Sequence, residues 1–452
     1  MNLRLLAITS VLSAVTLSVS AETWDINGTA CEVTTHRTAD LFPGCTIHTI
    51  EVGSDSQQRR IWYWEVDLQA ENVDIITYNP ENIRTTGTTV PDMATKLNDK
   101  GHDVRVGANA DLYSTYGPIG TTVMDGEIIK IAKPSTAWHA VGFDDETRQM
   151  YMGTVNIIFA AKLNGVTEYA PTLVNVPMAN NETIIYTRRW GKSTGTTKGS
   201  SGLEILLRPE GGILRSDGVT TCTVVEAPVK DGGDMEIPEG CIVLSTTIPS
   251  HINDLGLMKA GDTYTLNPAS FSISPAAMSS YSFRKCTRLI GGDPMLLVDG
   301  QKLNSYATMP NYDTRRDRTA IGTDRSRSKM YVLIVEKSSA SVGANAQELA
   351  SIMKAIGCHE ALNFDGGGST TMWTAGDGVL NSCSDGHPRA VRNGIFVAYQ
   401  PSDGVDSIEN DGEFDENAPS EYFSLGGFPV ENLAPGIYIR RQGHLSKLVI
   451  IK

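Results

Sequence analysis

One segment in the last third of the chain constrains the fold more than any other. KMYVLIVE (329–336) is a nearly continuous apolar run, which is typical of a strand covered on both faces. Apolar residues then recur at positions i, i+3, i+4 and i+7 across 345–357, which predicts a helix that Asn345 can cap and Gly357 can end. HEALNF (359–364) predicts a second buried strand, so the order strand, helix, strand indicates a βαβ crossover.

Other segments add strands and one more short helix. IWYWEVDL (61–68) and NVDIITYNP (72–80) are rich in β-branched and aromatic residues, which favours strands. PDMATKLNDK (91–100) begins with a proline and precedes Gly101, a pattern typical of a short helix. We therefore expect an α+β fold, with a mixed β-sheet core, flanking helices and a small β-rich insertion at 212–268.

Composition limits the classes of partner. The chain has 452 residues, 40% of them hydrophobic, and a net charge of −14. This acidic balance argues against nucleic acid as a partner, because nucleic-acid-binding proteins present a broad basic surface. A small anion can still be bound locally by a few arginines and backbone amides.

The first 21 residues have the pattern of an export signal. Arg4 supplies a positive charge, residues 5–19 are mostly apolar, and small residues lead to a cleavage point after Ala21. The apolar run is short for a transmembrane helix. We therefore expect export to the periplasm, the cell surface or the medium; a membrane anchor and a buried N-terminal helix are the alternatives.

All seven cysteines follow this segment, and an exported protein is expected to form some disulfides. An odd number leaves at least one cysteine outside a disulfide. No CxxC or HExxH motif is present, which disfavours a zinc site. The pairs suggested by proximity in sequence are Cys31–Cys45, Cys222–Cys241 and Cys358–Cys383.

The most unusual motif, DGGGSTT, follows the second predicted buried strand. Asp365 precedes three glycines, and Ser369 and Thr370 add hydroxyl groups. Consecutive glycine N–H groups can form an anion-binding concavity, and the carboxyl end of a buried strand is where α/β sheets place ligands. The alternative is a tight glycine turn whose aspartate caps the next segment. The motif is not a P-loop, since no Gly-Lys-Ser/Thr follows.

RRDRTAIGTD supplies two more candidates, Arg318 and Thr319. Arginine binds phosphate through two parallel hydrogen bonds, although a solvated arginine cluster is the alternative. IGGDPMLLVDGQ (290–301) and HPRAVRNGIFV (387–397) are weaker motifs.

Asn109 and Asp111 leave the end of a predicted strand, DVRVGANAD. They are candidates for the same crevice, and the alternative is a turn capped by their side chains. His139 is a candidate acid or base, although a lone histidine is more often a packed one.

Taken together, the motifs NADLY…GPIGTTVMDGE, GGDPMLLVDG, RTAIGTDRS and NFDGGGSTTMW resemble those of the phosphodiester glycosidase family, in the same order and over roughly residues 80–400. The resemblance implies an α+β catalytic domain and hydrolysis of a sugar-1-phosphodiester. Two features depart from the family pattern: GGDP (291–294), where a third glycine is expected, and Arg392 before Asn393. The family's motif positions fall on Asn109, Asp111, Arg318, Thr319, Asp365, Gly366, Gly367, Gly368, Ser369, Thr370 and Asn393.

The chemistry of that reaction suggests roles for these residues. The leaving group is a phosphate monoester, a stable anion that needs little protonation, so positive donors can replace much of the general acid. We assign Arg318 and the amides of 366–368 to the phosphate. The developing charge on the sugar needs a carboxylate as nucleophile or base, with Asp365 the first candidate and Asp111 the second. No cofactor or catalytic metal is expected, and a structural calcium ion stays open.

Two other functions fit the same motifs. A non-catalytic glycan-binding module of the cell envelope would keep the glycine turn and the aromatic residues Trp138, Trp190 and Trp373. A phosphatase-like or peptidoglycan-directed hydrolase with a bound metal would use the aspartates as ligands. In each case the expected partner is a sugar phosphate or a glycan.

These interpretations divide the chain into a signal peptide (1–21), an N-terminal β-rich region (22–90), a catalytic domain (91–400, with the insertion at 212–268), an acidic linker (401–420) and a tail (421–452). The tail pattern NLAPGIYI…KLVIIK resembles the end of C-terminal sorting domains of Bacteroidetes-type secreted proteins. A small edge hairpin is the alternative.

Overall fold

The computed structural model describes residues 16–17, 22–54, 57–133, 138–199, 202–272 and 283–400, and from the C-terminal part 420–423, 430, 433, 436–442 and 445–451. The chain forms two compact units, 1–399 and 400–452. The predicted signal peptide (1–21) and acidic linker (401–420) lie outside the described residues, except for Thr16, Leu17 and Ser420.

Three large sheets make up the first unit. The ten-stranded sheet contains β1 (Thr16–Leu17), β2 (Thr23–Ile26), β3 (Thr29–Phe42), β4 (Cys45–Ser54), β5 (Gln57–Asp67), β23 (Met295–Val298), β24 (Gln301–Lys302), β25 (Arg318–Thr323), β26 (Lys329–Val335) and β29 (Glu360–Phe364). The five-stranded sheet contains β6 (Val73–Tyr78), β7 (Val104–Asn109), β30 (Met372–Thr374), β31 (Gly378–Val379) and β32 (Gly394–Tyr399).

The thirteen-stranded sheet contains β10 (Thr122–Met124), β11 (Glu127–Lys130), β12 (His139–Asp144), β13 (Gln149–Leu163), β14 (Val166–Glu168), β15 (Leu173–Val174), β16 (Thr183–Tyr186), β17 (Leu203–Pro209), β18 (Thr220–Val224), β19 (Val229–Lys230), β20 (Ile242–Thr246), β21 (Thr263–Ser272) and β22 (Cys286–Gly292). Two small hairpins complete the unit: β8 (Tyr113–Ser114) with β9 (Gly117–Pro118), and β27 (Lys337–Ser338) with β28 (Ser341–Val342).

Helices are few. The described residues contain α1 (Val90–Asn98), α2 (Pro249–Leu255) and α3 (Ala346–Ala355), with short 3-10 turns at Phe283–Lys285 and Gly367–Ser369. α3 begins where the sequence predicts, because Asn345 Oδ1 accepts from the Glu348 N–H at 2.9 Å and Glu348 Oε2 accepts from the Asn345 N–H at 3.0 Å. This capping box satisfies donors that the first helical turn leaves unpaired.

The prediction of an α+β fold with flanking helices was wrong. The protein is mostly β, with 49% of residues in strands and 8% in helices, and the strands build a half-barrel and a nearly closed barrel. The sheets are also almost wholly antiparallel: among the strand pairs described, only β15 with β16 runs parallel. Sheets, and not helices, therefore cover most strand faces.

The predicted strand, helix and strand are present as β26, α3 and β29, but they do not form neighbouring parallel strands. β25 lies between β26 and β29 and pairs antiparallel with both. The apolar run of β26 reflects burial on two faces, since Val332 and Ile334 belong to one core while Leu333 and Val335 belong to another. α3 packs on the second core and β-strands fill the first, so continuous hydrophobicity does not require a parallel sheet.

One hydrophobic core joins the three large sheets. Phe364 comes from the ten-stranded sheet, Ile290 from the thirteen-stranded sheet and Ile395 from the five-stranded sheet, and all three are fully buried in the same cluster. Each fully buried side chain of this size contributes about 1.5–3 kcal/mol relative to its exposed state. The core therefore fixes the strand ends that carry the candidate site.

The structure contains no disulfide among the described residues, which include all seven cysteines. Cys45 pairs with Phe42 at one end of the β3–β4 hairpin, whereas Cys31 pairs with Trp24 near the start of β3. Positions 31 and 42 are eleven residue steps apart along β3, which is roughly 35 Å at about 3.3 Å per step. The predicted Cys31–Cys45 pair is therefore wrong for this fold.

The other two predicted disulfides are also absent. Cys222 of β18 and Cys241, which immediately precedes β20, belong to different core clusters, and β17 lies between β18 and β20. Cys358 is buried against α3, while Cys383 lies half-buried in the loop after β31. Proximity in sequence does not bring these thiols together, because the two cysteines of each pair do not share a core cluster.

The second unit contains β33 (Glu421–Phe423), β34 (Gly436–Gln442) and β35 (Leu445–Ile451), which pair antiparallel in that order. The strand patterning of the tail is thus present, and the sorting role stays a prediction. Among the described residues, no helix is both long and apolar enough to cross a membrane.

Candidate active site

Strands from all three large sheets end at one edge of the shared core. β7 ends at Asn109 and β29 at Phe364, while β25 begins at Arg318 and β12 at His139. The register confirms the convergence, since Thr319 pairs with Phe364 and Asn109 pairs with Gly394. The motifs that lie far apart in sequence are therefore neighbours in space.

Asn109 is the centre of a buried hydrogen-bond network. Its Oδ1 accepts from the Thr319 hydroxyl at 2.9 Å and from the Thr371 N–H at 3.0 Å, and its Nδ2 donates to the Asp365 carbonyl at 2.7 Å. The Thr319 hydroxyl also lies 3.2 Å from Thr370 Oγ1. Fully satisfied buried polar networks are rigid, so this one holds the 365–371 turn in place.

The three glycines serve close packing more than anion binding. The Gly367 N–H already donates to the Asp317 carbonyl at 2.8 Å, and the Gly366 N–H bonds the Asp365 side chain. A methyl group at Gly366 would lie 2.7 Å from the Asp317 carbonyl oxygen, and one at Gly368 would lie 2.0 Å from Arg389 Nη2. The predicted cradle of three free amides is thus not what the turn presents.

Arg318 is held by the protein itself. Its Nε donates to the Ala344 carbonyl at 3.0 Å, and its Nη2 donates to the carbonyls of Asn311 and Thr314 at 2.6 and 2.8 Å. Burial lowers its pKa to about 10, against the opposing field of Asp365. The guanidinium therefore anchors the 311–318 loop beneath the site, and much of its hydrogen-bonding capacity is already used.

Arg389 is a cation at the site to which sequence reasoning gave no role. It packs against Gly368, its Nη1 lies 3.5 Å from Ser369 Oγ, and it forms a two-pronged ion pair with Asp385 at 2.7 and 3.0 Å. Its side chain keeps 41% of its surface exposed. The weak HPRAVRNGIFV motif and the i, i+4 spacing of Asp385 and Arg389 were the available signals.

Asp365 lies beside this arginine and is half-buried. Burial raises the pKa of its carboxyl, while the Ser369 hydroxyl, the Gly366 amide and the charge of Arg389 act in the opposite direction. A carboxylate held between desolvation and a nearby cation is the kind of group that active sites use.

Asp111 is a second carboxyl at the same edge, and it is fully buried. Its Oδ2 accepts from the Gly120 N–H at 2.7 Å and its Oδ1 accepts from Trp138 Nε1 at 2.9 Å. Burial raises its pKa to about 7 despite these bonds and the nearby Lys130, and the charge of Asp365 adds to the rise. The two carboxyls therefore influence each other's ionisation.

His139 forms a pair with Asp293 that sequence reasoning missed. His139 Nδ1 lies 2.7 Å from Asp293 Oδ1, and the imidazole keeps about a fifth of its surface exposed while the carboxyl is buried. Asn363 Nδ2 donates to the Asp293 carbonyl at 2.7 Å and fixes its backbone. The GGDP motif supplied Asp293, but only the register of His139 against Gly292 shows the pairing.

Several buried polar atoms around this edge have no hydrogen-bond partner within the described residues: Asp293 Oδ2, Asn363 Oδ1, Asn393 Nδ2, Arg392 Nε and Arg392 Nη1. Asn393 also accepts from the Asp111 N–H at 3.0 Å through its Oδ1, so it is fixed beside that carboxyl. Buried groups of this kind are normally satisfied, so these atoms can bond to water or to a ligand at this edge.

The same part of the chain offers no obvious metal centre. Among the described residues, no group of three or more His, Cys, Asp or Glu side chains is arranged to hold a metal ion. The structure thus brings together the sequence-predicted residues Asn109, Thr319, Asp365, Ser369 and Thr370, with Asp111 and Asn393 beside them, while Arg318 lies in the supporting layer.

Comparison with known proteins places part of this assembly in a family. Residues 222–398 match the family model described as phosphodiester glycosidase. This part of the chain is therefore similar to a phosphodiester glycosidase domain. The match includes Asp365 and Arg389, whereas Asn109, Asp111 and His139 lie before the matched range.

The relatives are distant. The SPbeta prophage-derived uncharacterized protein YomE of Bacillus subtilis (strain 168) is 35% identical over 140 residues, which is 31% of this chain and 20% of that protein. The structure of a hypothetical protein from Synechocystis is similar, with 18% sequence identity and a TM-score of 0.61. The match covers 79% of this chain and 62% of the Synechocystis chain. The structure of a protein from Burkholderia pseudomallei K96243 is also similar, with 14% sequence identity and a TM-score of 0.60. That match covers 85% of this chain and 99% of the Burkholderia chain.

These two solved structures support the fold alone. The chain spans about a fifth of the curated relative and less than two thirds of the Synechocystis protein. The similarity to them therefore carries no information on substrate.

Proposed function

We propose that this protein hydrolyses the bond between a sugar anomeric carbon and a phosphodiester oxygen. The observation that carries the proposal is the assembly at one strand edge: Asp365 and Asp111 with raised pKa values, and the half-exposed Arg389 beside Asp365. The glycosidase domain match at 222–398 supports the reaction class.

In this proposal Asp365 is the catalytic carboxylate. It acts as nucleophile or as base for water, opposite the oxocarbenium-like sugar. Asp111 is a positioning residue, because both its oxygens are engaged by Gly120 and Trp138 and its carboxyl is buried. It keeps Trp138 and the 111–120 loop fixed at the rim of the site.

Arg389 takes the role of phosphate-binding cation that the sequence assigned to Arg318. A phosphate monoester leaves as an anion, so a cation next to it stabilises the transition state more than the bound substrate. Arg389 is half-exposed and adjacent to Ser369, whereas Nε and Nη2 of Arg318 already donate to three backbone carbonyls. Arg318 keeps the loop below in position.

His139 is the candidate for proton transfer in the proposed mechanism. Its pairing with Asp293 fixes the ring and leaves Nε2 as the nitrogen that can face a ligand, as in other histidine–carboxylate pairs. We assign it to the water or to the departing oxygen.

A panel of sugar-1-phosphodiesters that differ in sugar and aglycone tests the proposal, with release of phosphomonoester and free sugar as readouts. We expect turnover by the full chain and a loss of about 10²–10³-fold in kcat for Arg389→Ala, the range seen when one transition-state donor is removed. Asp365→Asn should lose at least as much. Arg325→Ala, which removes an exposed arginine elsewhere, is the matched control.

Three results would contradict the proposal. Absence of turnover on the whole panel would favour a glycan-binding module. Activity that a chelator abolishes and a divalent metal restores would indicate a metal-dependent hydrolase. Unchanged turnover in folded Asp365→Asn would remove that carboxylate from the mechanism.

A further inference from the structure

A second pocket lies away from the Asp365 cluster, on the thirteen-stranded sheet and its loops. It has a volume of about 350 Å³ and is lined by Tyr186 of β16, Glu204 of β17 and Ser245 of β20. A hollow of about 490 Å³ adjoins it and shares Arg84 and Trp190 with it. Both volumes fall in the range of small-molecule sites, and neither lining includes a residue of the proposed catalytic site.

The shared wall is a built aromatic stack. Trp190 is only 3% exposed and is fixed by the bond from its Nε1 to the Thr194 carbonyl at 2.8 Å. Tyr116 stacks on Trp190 with ring centroids 6.0 Å apart and an interplanar angle of 12°, and it keeps 43% of its surface exposed. A large aromatic ring supported from behind and open in front presents a flat apolar face at little entropic cost.

Arg84 adds polar donors to this face. Its guanidinium carbon lies 4.5 Å from the centre of the Trp190 ring, and within the described part of the chain its side chain makes no hydrogen bond or ion pair. A guanidinium has five N–H donors, so Arg84 can bind several oxygens of one ligand.

The opposite wall is ordered by Glu204. Its Oε1 accepts from the hydroxyls of Thr194 and Thr196 at 2.7 and 2.8 Å, and its Oε2 accepts from the Met235 N–H at 3.0 Å. The buried carboxylate is thus fully hydrogen-bonded and holds the 194–197 loop in shape. The pocket combines a flat apolar face with a rim of polar groups, which matches a sugar ring with its C–H face and its hydroxyl groups.

One hairpin connects this pocket with the catalytic site. Tyr113 at its start lies beside Arg392, with the guanidinium carbon 5.8 Å from the ring centre, and it also bonds Arg389. Tyr116 at its tip lies on Trp190. Three residues span at most about 10 Å, so a ligand that extends from the catalytic site along the hairpin reaches the pocket within a few sugar units.

We propose that the Arg84–Tyr116–Trp190 pocket is a distal subsite that binds a further saccharide unit of the substrate. This inference rests on the proposed function, because it takes the bound saccharide to be part of the substrate. It adds that the natural substrate is a glycan chain and not a small sugar phosphate.

Binding without turnover tests this directly. The full chain carrying Asp365→Asn is measured against a panel of immobilised neutral and acidic oligosaccharides of at least four units, and the strongest binder is then titrated in solution. In this background Tyr116→Ala and Arg84→Ala should each weaken binding about tenfold, and Tyr116→Phe should retain it. Tyr312→Ala removes a tyrosine of nearly the same exposure outside the pocket and should have no effect.

The proposal is overturned if no oligosaccharide of the panel binds, or if Tyr116→Ala, folded by circular dichroism, binds as tightly as its parent. Binding that depends on Tyr116 in a protein that hydrolyses nothing would refute the proposed function and leave the pocket assignment intact. Hydrolysis at a rate that depends neither on Tyr116 nor on substrate length would refute the pocket assignment and leave the proposed function intact.

Discussion

Gly368→Ala is the substitution that most sharply separates the two interpretations of the glycine motif. A methyl group at this position would lie 2.0 Å from Arg389 Nη2, 2.4 Å from its Cζ and 2.5 Å from Asp385 Oδ1. Carbon atoms do not approach other heavy atoms closer than about 3 Å, so the guanidinium and its carboxylate partner must shift by about 1 Å or more. If the glycines served an amide cradle for phosphate, the same methyl would disturb only the space above the turn.

The expected cost falls on activity and not on folding. Gly368 has no positive φ, so alanine fits its backbone and reduces the entropy of the unfolded chain by about 0.4–1 kcal/mol. The clash is with the ends of two half-exposed side chains, whose ion pair is worth at most about 1 kcal/mol. The free energy of unfolding should therefore change by less than about 1 kcal/mol. A displacement of about 1 Å in a positioned group can cost on the order of 10²-fold in rate.

The assay is kcat/KM on the best phosphodiester of the panel, together with denaturant unfolding. Gly376→Ala is the matched control, because a methyl group there has no neighbour within 4 Å. If Gly368→Ala acts by moving Arg389, the double variant with Arg389→Ala should be no slower than Arg389→Ala alone. Activity within twofold of wild type, or losses that multiply in the double variant, would refute the reasoning.

Three further predictions follow from the same geometry. Arg318→Ala should lower the free energy of unfolding by about 2–4 kcal/mol, since it removes three hydrogen bonds from a charged donor to backbone carbonyls, whereas Arg389→Ala should leave it nearly unchanged. Equal effects of the two substitutions in urea unfolding would contradict these separate roles. The folded state raises the pKa of Asp111 to about 7, so the folded protein binds more protons than the unfolded chain between about pH 4 and 7. The free energy of unfolding of the wild type should therefore fall relative to that of Asp111→Asn over this range, by a few kcal/mol in all, and should not fall further above about pH 7. A difference in unfolding free energy that does not depend on pH would count against this prediction. Asn345→Ala should cost about 1 kcal/mol by removing the cap of α3, visible as a lower thermal midpoint, while Gln347→Ala should not.

The sequence predicted local secondary structure wherever a short residue pattern favours a single conformation. Asn345 and the 3.6-residue period define α3, and Pro91 indicates the start of α1. Sequence motifs also identified side chains that meet in space, namely those of the DGGGSTT turn, of RTAIG and of Asn109–Asp111. Glycine lowers the stability of a strand or helix, so a run of glycines next to polar residues at a strand end indicates a role.

The tertiary structure alone determined which strands pair and which different environments Arg318 and Arg389 occupy. The apolar run of β26 is compatible with a parallel or an antiparallel neighbour, and only the insertion of β25 between β26 and β29 decides it. Arg318 and Arg389 carry the same charge and donors, but three carbonyls surround one and solvent reaches the other. His139 finds Asp293 only because β12 and β22 are in register. Sequence specifies the chemistry that each residue can perform, whereas the burial and neighbours that select one role are long-range properties of the packed sheets.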